Sequence, residues 1–133
     1  MDRLFLDANV LFSAAYRADS GLLLFWKLVD VVLCSSRYAV EEARIYLQEE
    51  GQRRRLERLS VSFRLLQAPE RRLPDEISLL EKGAPIFLAA VESPANYLVT
   101  GDVRHFGPYF GKKIEGVTIL LPAEYVRRRS KRG

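Results

Sequence analysis

Short apolar runs alternate with longer amphipathic segments along this chain, and that rhythm constrains the fold more than any other feature. Residues 4–6, 31–34, 61–66, 97–100 and 117–121 read as strands, each short, apolar and partly β-branched. The segments between them carry helix signals. Ser20 is placed to cap a helix over residues 22–28. Ser35 or Ser36 caps another, in which Val40, Ala43, Ile45 and Leu47 recur among charged residues, and Gly51 is expected to interrupt it. Leu56 and Leu59 keep a helical spacing beyond that point. Pro74, Asp75 and Glu76 read as the start of a further helix, with acids at its positive end. Pro85 suits the first turn of a helix reaching Val91. Strand and helix in alternation predict an α/β fold, with a mainly parallel sheet of about five strands and helices on both faces. In such sheets the active site lies beyond the carboxyl ends of the strands.

With 133 residues, of which 48% are hydrophobic, the chain suits one folded domain with one core. Cys34 is the only cysteine, which excludes an intrachain disulfide and a cysteine-rich zinc site. A reducing, cytoplasmic setting is expected. Lys27 ends the apolar run 22–26 far short of a membrane span, and Asp2, Arg3 and Asp7 break up any signal-peptide pattern. The net charge of +4 is unevenly placed. Setting aside Arg127, Arg128, Arg129, Lys131 and Arg132 leaves 16 basic against 17 acidic residues, a balance of −1. The chain therefore reads as a near-neutral domain over residues 1–126 and a basic tail over 127–133. Such a tail is suited to phosphate contact or is a solvated end.

Two strands end in an acid in the same way. Leu4-Phe5-Leu6 runs into Asp7, and Tyr97-Leu98-Val99-Thr100 runs through Gly101 into Asp102. Parallel strands share one carboxyl edge, so the two carboxylates are expected to meet there. Hard divalent cations take carboxylate oxygens, and a cation so held activates water at a phosphodiester. The competing reading is that each acid only caps the helix or turn that follows it.

Leu6-Asp7-Ala8-Asn9-Val10-Leu11 resembles the opening of PIN domains, in which the aspartate is a metal ligand and the asparagine supports it. Ser36-Arg37-Tyr38-Ala39-Val40-Glu41-Glu42 is similar to the family's second motif, a serine before a helix bearing an acidic ligand; Glu42 is the better match and Glu41 the alternate. Ala84-Pro85-Ile86-Phe87-Leu88-Ala89-Ala90 and Tyr97-Leu98-Val99-Thr100-Gly101-Asp102, extended by His105-Phe106-Gly107, resemble the last two motifs. The resemblance covers residues 4–125. It implies a Rossmann-like sheet and Mg²⁺- or Mn²⁺-dependent RNA cleavage, with Asp7, Glu42 and Asp102 as ligands and catalytic acids and with Asn9 and Thr100 in support. Many small stand-alone members are VapC-like toxins that form homodimers and pair with an antitoxin.

One position departs from the family. An aspartate usually stands two residues before the proline of the third motif, and here that residue is Gly83. The acid often found just after the final aspartate is also replaced, by Val103 and Arg104. Three acids remain where four are usual, with Glu81 and Glu92 nearby but out of register. Other residues carry two readings each. His105 acts as an acid or contacts phosphate, or it is a structural loop histidine. Phe25, Trp26 and the leucines at 22–24 are core, or in part a dimer surface. Arg53, Arg54 and Arg55 are a solvated helix face or a phosphate contact. The leading function is a metal-dependent endoribonuclease, and the alternative is a weakened or inactive relative that binds RNA or a protein partner. A nucleotide-binding domain fits poorly, because no glycine-rich phosphate loop follows a strand.

Overall fold

The computed structural model describes residues 1–79 and 82–132, without the side chains of Arg64 and Arg132. Glu81 therefore lies outside the described residues. The strands are β1 (Asp2–Leu6), β2 (Val31–Ser36), β3 (Arg64–Leu66), β4 (Tyr97–Val99), β5 (Lys113–Ile114) and β6 (Val117–Leu120), and the helices are α1 (Ala8–Tyr16), α2 (Arg37–Tyr46), α3 (Glu50–Ser60), α4 (Gly83–Glu92), α5 (Val103–Phe106) and α6 (Pro122–Arg132). They form one sheet of order β3-β2-β1-β4-β6-β5, parallel except for the β5–β6 pair. The sheet thus has six strands rather than about five. The extra one is a short edge hairpin whose loop residues Glu115 (φ 49) and Gly116 (φ 83) both take left-handed backbone, the geometry that a tight two-residue hairpin demands.

Successive residues of a strand face opposite sides of the sheet. Leu4, Phe5 and Leu6 of β1 are all fully buried, as are Leu98 and Val99 of β4, so both faces of the sheet are covered. The chain runs outward from β1 through β2 to β3 and then returns to β4 on the other side of β1. A crevice opens at such a reversal, beyond the carboxyl ends of the strands.

Local signals set several boundaries. Ser36 caps α2, its Oγ accepting the Ala39 N–H at 3.1 Å, whereas Ser35 Oγ donates to the Leu6 carbonyl at 2.8 Å. Ser20 caps the segment Gly21–Lys27, which is a 3-10 helix rather than an α-helix. Gly51 does not interrupt a helix. The break falls at Leu47, fully buried with extended backbone, and a Glu49–Gln52 capping box starts α3 with Gly51 in its first turn. Pro74 opens only a turn, closed by the Ile77 N–H on the Pro74 carbonyl at 3.2 Å, with Ile77 drawn into the core. β3 is shorter than expected because a turn closes α3, the Val61 and Phe63 N–H groups bonding back to the Arg58 and Ser60 carbonyls at 3.4 and 3.0 Å. At the other end, α6 runs straight through the basic stretch. Its anchor is Tyr125, fully buried against Phe25 and Tyr97, with its hydroxyl donating to Asp2 at 2.7 Å. Arg129 reaches the Val29 carbonyl just before β2. The basic turn of α6 therefore lies toward the amino edge of the sheet, away from the strand-end acids.

Candidate metal and nuclease site

Asp7 follows β1 directly and caps α1, its Oδ1 accepting the Ala8 N–H at 2.6 Å. Its backbone N–H continues the sheet, donating to the Val99 carbonyl at 3.1 Å. Asp102 caps α5 in the same manner, its Oδ1 accepting the His105 N–H at 3.0 Å. Both acids are thus helix caps, and capping leaves their other oxygens to do something else.

Thr100 joins the two. Its hydroxyl donates to Asp7 Oδ2 at 2.8 Å and accepts from the Asp102 N–H at 3.0 Å and from Asn9 Nδ2 at 3.2 Å. Asn9 completes the link through Oδ1, which accepts the Gly101 N–H at 2.7 Å. One hydroxyl and one amide therefore tie the first turn of α1 to the loop after β4. Asn9 touches Thr100 and Gly101 and orients Asp7 only through the threonine.

Asp7, Glu42 and Asp102 line a single cavity of about 500 Å³ at the carboxyl edge, together with Asn9, Lys82 and His105. Glu42 comes from the middle of α2, with Lys82 Nζ 3.9 Å from its carboxylate. Glu41, one residue earlier, points to solvent and pairs with Arg44 at 2.5 Å. Glu92 is exposed at the far end of α4, roughly 14 Å along the axis from Gly83. Asp102 Oδ2 lies 2.5 Å from His105 Nδ1. A carboxylate only accepts, so that nitrogen carries the proton when Asp102 is ionised.

Burial dominates the electrostatics. Asp7 is 4% exposed, and its pKa is raised from 3.8 to about 6, chiefly by desolvation. The Thr100 and Ala8 hydrogen bonds work against that rise, and the charges of Asp102 and Glu42 add to it. A cation between the carboxylates would relieve both the burial cost and the repulsion. An all-oxygen donor set of three carboxylates is the kind that Mg²⁺ and Mn²⁺ take. Among the described residues, however, no three acid, histidine or cysteine side chains stand close enough to hold one ion. Asp102 is turned to His105, and Glu42 leans to Lys82. The donor set fits in kind, and closure around an ion requires those contacts to loosen.

The surroundings of Gly83 are tight. A Cβ on this buried glycine would meet Leu79 Cβ at 3.3 Å and His105 Cβ at 3.4 Å. A side chain here therefore requires Leu79 or His105 to give way by a few tenths of an ångström. Three contributors to the cavity escaped the sequence reading: Phe12, Tyr46 and Lys82. The signal for the first two was helical spacing, since Phe12 stands one turn after Ala8 and Tyr46 one turn after Glu42.

The structure is thus an α/β domain, consistent in fold with PIN domains, with an acidic crevice at the switch point of its sheet. The particular likeness is to VapBC2 from Rickettsia felis, solved bound to a DNA fragment from their promoter. The match has a TM-score of 0.60 at 11% identity, covering 88% of this chain and 96% of that one. At that identity the likeness shows the fold alone. No family model and no curated protein matches the chain.

Proposed function

We propose that this protein is a metal-dependent endoribonuclease, the toxin half of a toxin–antitoxin pair. The observation that carries the reading is the convergence of Asp7, Glu42 and Asp102 on one cavity from three separate elements. Asp7 and Asp102, with Glu42 opposite, would hold Mg²⁺ or Mn²⁺. The cation would supply charge neutralisation at the phosphodiester and acidity for the attacking water. The chain's own residues do the rest. Thr100 holds Asp7 Oδ2 and fixes the carboxylate's orientation, and Asn9 locks the α1 turn to the loop after β4. His105 holds Asp102 and keeps a proton beside the site. Lys82, at the cavity, offers a cation to a phosphate.

The same reading includes an antitoxin protein as partner, a homodimer and a cytoplasmic setting. The antitoxin accords with the VapBC2 likeness in fold. The homodimer draws little from the 22–26 stripe, because Phe25 is buried and Trp26 donates to the Leu59 carbonyl at 3.0 Å and stacks near Phe63. No helix among the described residues is long and apolar enough to cross a membrane.

A second reading is a relative that keeps the fold and binds RNA or a protein without cutting. Gly83 and the separation of the three carboxylates in the present rotamers favour it. Cleavage of single-stranded RNA in Mn²⁺, abolished by chelation and by Asp7→Asn or Asp102→Asn, supports the nuclease. A folded wild-type protein that binds no Mn²⁺ by calorimetry and leaves RNA intact assigns the binding role instead.

A further inference from the structure

The cavity has an acidic end and an aromatic end. On α1, Ala8, Phe12 and Tyr16 follow one another at helical spacing, and on α2, Glu42 and Tyr46 do the same. Ala8, Phe12, Glu42 and Tyr46 all line the cavity, so the two stripes lead away from the carboxylates side by side. Ala43, also at the cavity, is small and buried and keeps the floor low between them.

Two of the three rings at the aromatic end are exposed, and the third, Phe12, packs against the core by one side. Tyr46 is 60% exposed and Tyr16 is 52% exposed. Phe12 is half-buried and stacks on Tyr16 with centroids 5.4 Å apart, a tilted pair at 34°. Among the described residues neither tyrosine hydroxyl has a hydrogen-bond partner, so no polar contact accounts for where these rings stand. Lys82 lies at the same cavity, with its side chain 60% exposed. Carboxylates, a lysine and open aromatic faces thus share one concave surface.

We propose that Tyr46 and Phe12, with Tyr16 behind Phe12, are a stacking surface for an unpaired nucleobase of single-stranded RNA, next to the acids. The inference rests on the nuclease reading for the identity of the ligand. It deepens that reading by naming the residues that choose the substrate's strandedness. A base has a flat π-face that stacks on aromatic side chains whatever its sequence. A base within a duplex has both faces covered by its neighbours, so duplex RNA cannot present one to these rings. Lys82 adds the cation that suits the backbone phosphate beside such a base. The combination suits a base and its adjoining phosphate, and a base-free backbone is the control that separates stacking from charge alone.

The test uses the full chain carrying Asp7→Asn, so that bound RNA survives. The probe is fluorescein-labelled octauridylate, beside an abasic oligomer of the same backbone and a duplex of the same length, read by anisotropy in Mg²⁺. Tyr46→Ala is expected to weaken octauridylate binding about tenfold, with Tyr46→Trp restoring it. The abasic oligomer and the duplex should bind weakly and equally to both forms. Tyr46 is exposed enough for truncation to leave the fold intact, which a thermal melt checks. Unchanged octauridylate binding, an equal loss on the abasic oligomer, duplex binding as tight as single-strand binding, or no binding at all overturns the proposal. A separate arm measures bis(p-nitrophenyl) phosphate hydrolysis by wild type in Mn²⁺. Hydrolysis without base-dependent binding keeps the nuclease and removes the stacking surface. Base-dependent binding without hydrolysis does the reverse.

Discussion

Removing the charge of Asp7 should stabilise the metal-free protein, and only above a certain pH. In the folded chain Asp7 holds its proton up to about pH 6, against 3.8 for an ordinary aspartate, mainly because it is 4% exposed. Below pH 3.8 the carboxyl is neutral in folded and unfolded chains alike and contributes no penalty. Between these values the folded chain binds more protons than the unfolded one, so stability falls as the pH rises through the window. Above it the full cost stands, about 3 kcal/mol at 1.36 kcal/mol per pKa unit. Asp7→Asn abolishes that cost. It also turns an NH₂ toward Thr100, whose oxygen already accepts from Asn9 and from the Asp102 N–H. That mismatch loses about 1–2 kcal/mol. The net gain at pH 7.5 is therefore about 1–2 kcal/mol, a rise in Tm of roughly 5 °C for a chain this size. Thermal and urea denaturation followed by circular dichroism, in chelator, at pH 4 and pH 7.5, measure it. The variant should be more stable than wild type at pH 7.5 and no more stable at pH 4. Added Mn²⁺ should then raise the Tm of wild type and not of the variant. A stability difference that is the same at both pH values would refute the argument that burial of a charge governs this site.

Three further outcomes test the rest of the site. Thr100→Val deprives Asp7 Oδ2, Asn9 Nδ2 and the Asp102 N–H of a partner at one stroke; urea denaturation should show a loss of about 3 kcal/mol, largely recovered by Thr100→Ser. Glu42→Gln should weaken Mn²⁺ affinity in calorimetry while Glu41→Gln leaves it unchanged, since only Glu42 lines the cavity and Glu41 is held outside by Arg44. Gly83→Asp should destabilise the metal-free protein by about 1–3 kcal/mol, because its Cβ meets Leu79 and His105 at 3.3 and 3.4 Å. The folded variant should nonetheless bind Mn²⁺ more tightly than wild type, because a fourth carboxylate adds negative charge near the cavity; equal affinity would mean three carboxylates already suffice.

Much of the framework was legible because it rests on short-range physics. The alternation of apolar runs and amphipathic segments locates β1, β2, β4 and β6, since a sheet covered on both faces needs runs like 4–6 and 97–99. Ser36 and Ser20 cap the segments they precede, because a hydroxyl beside free N–H groups acts within one turn. Asp7 and Asp102 were legible as strand-end acids that share an edge. The hairpin at Glu115 and Gly116 is equally local, since a residue pair ending in glycine suits its left-handed backbone.

What tertiary structure decided is phase and filling. Neighbouring residues on a helix point about 100° apart, so the choice between Glu41 and Glu42 depends on how α2 rolls against the rest of the protein. The Asp7–Thr100 bond joins residues 93 apart in the chain, and no local pattern encodes such a contact. Pro74, Asp75 and Glu76 carried every local sign of a helix start, yet burial of Ile77 holds them to a turn. Gly83 showed in the sequence only as a missing acid; the fold packs Leu79 and His105 close against it, at 3.3 and 3.4 Å from where a Cβ would stand. The basic residues after Val126 read as a tail, but Tyr125 locks α6 into the core and carries Arg129 to the Val29 carbonyl, toward the edge opposite the acids. In each case the deciding energy comes from side chains far off in sequence that compete for the same space, and that competition exists only once the chain has folded.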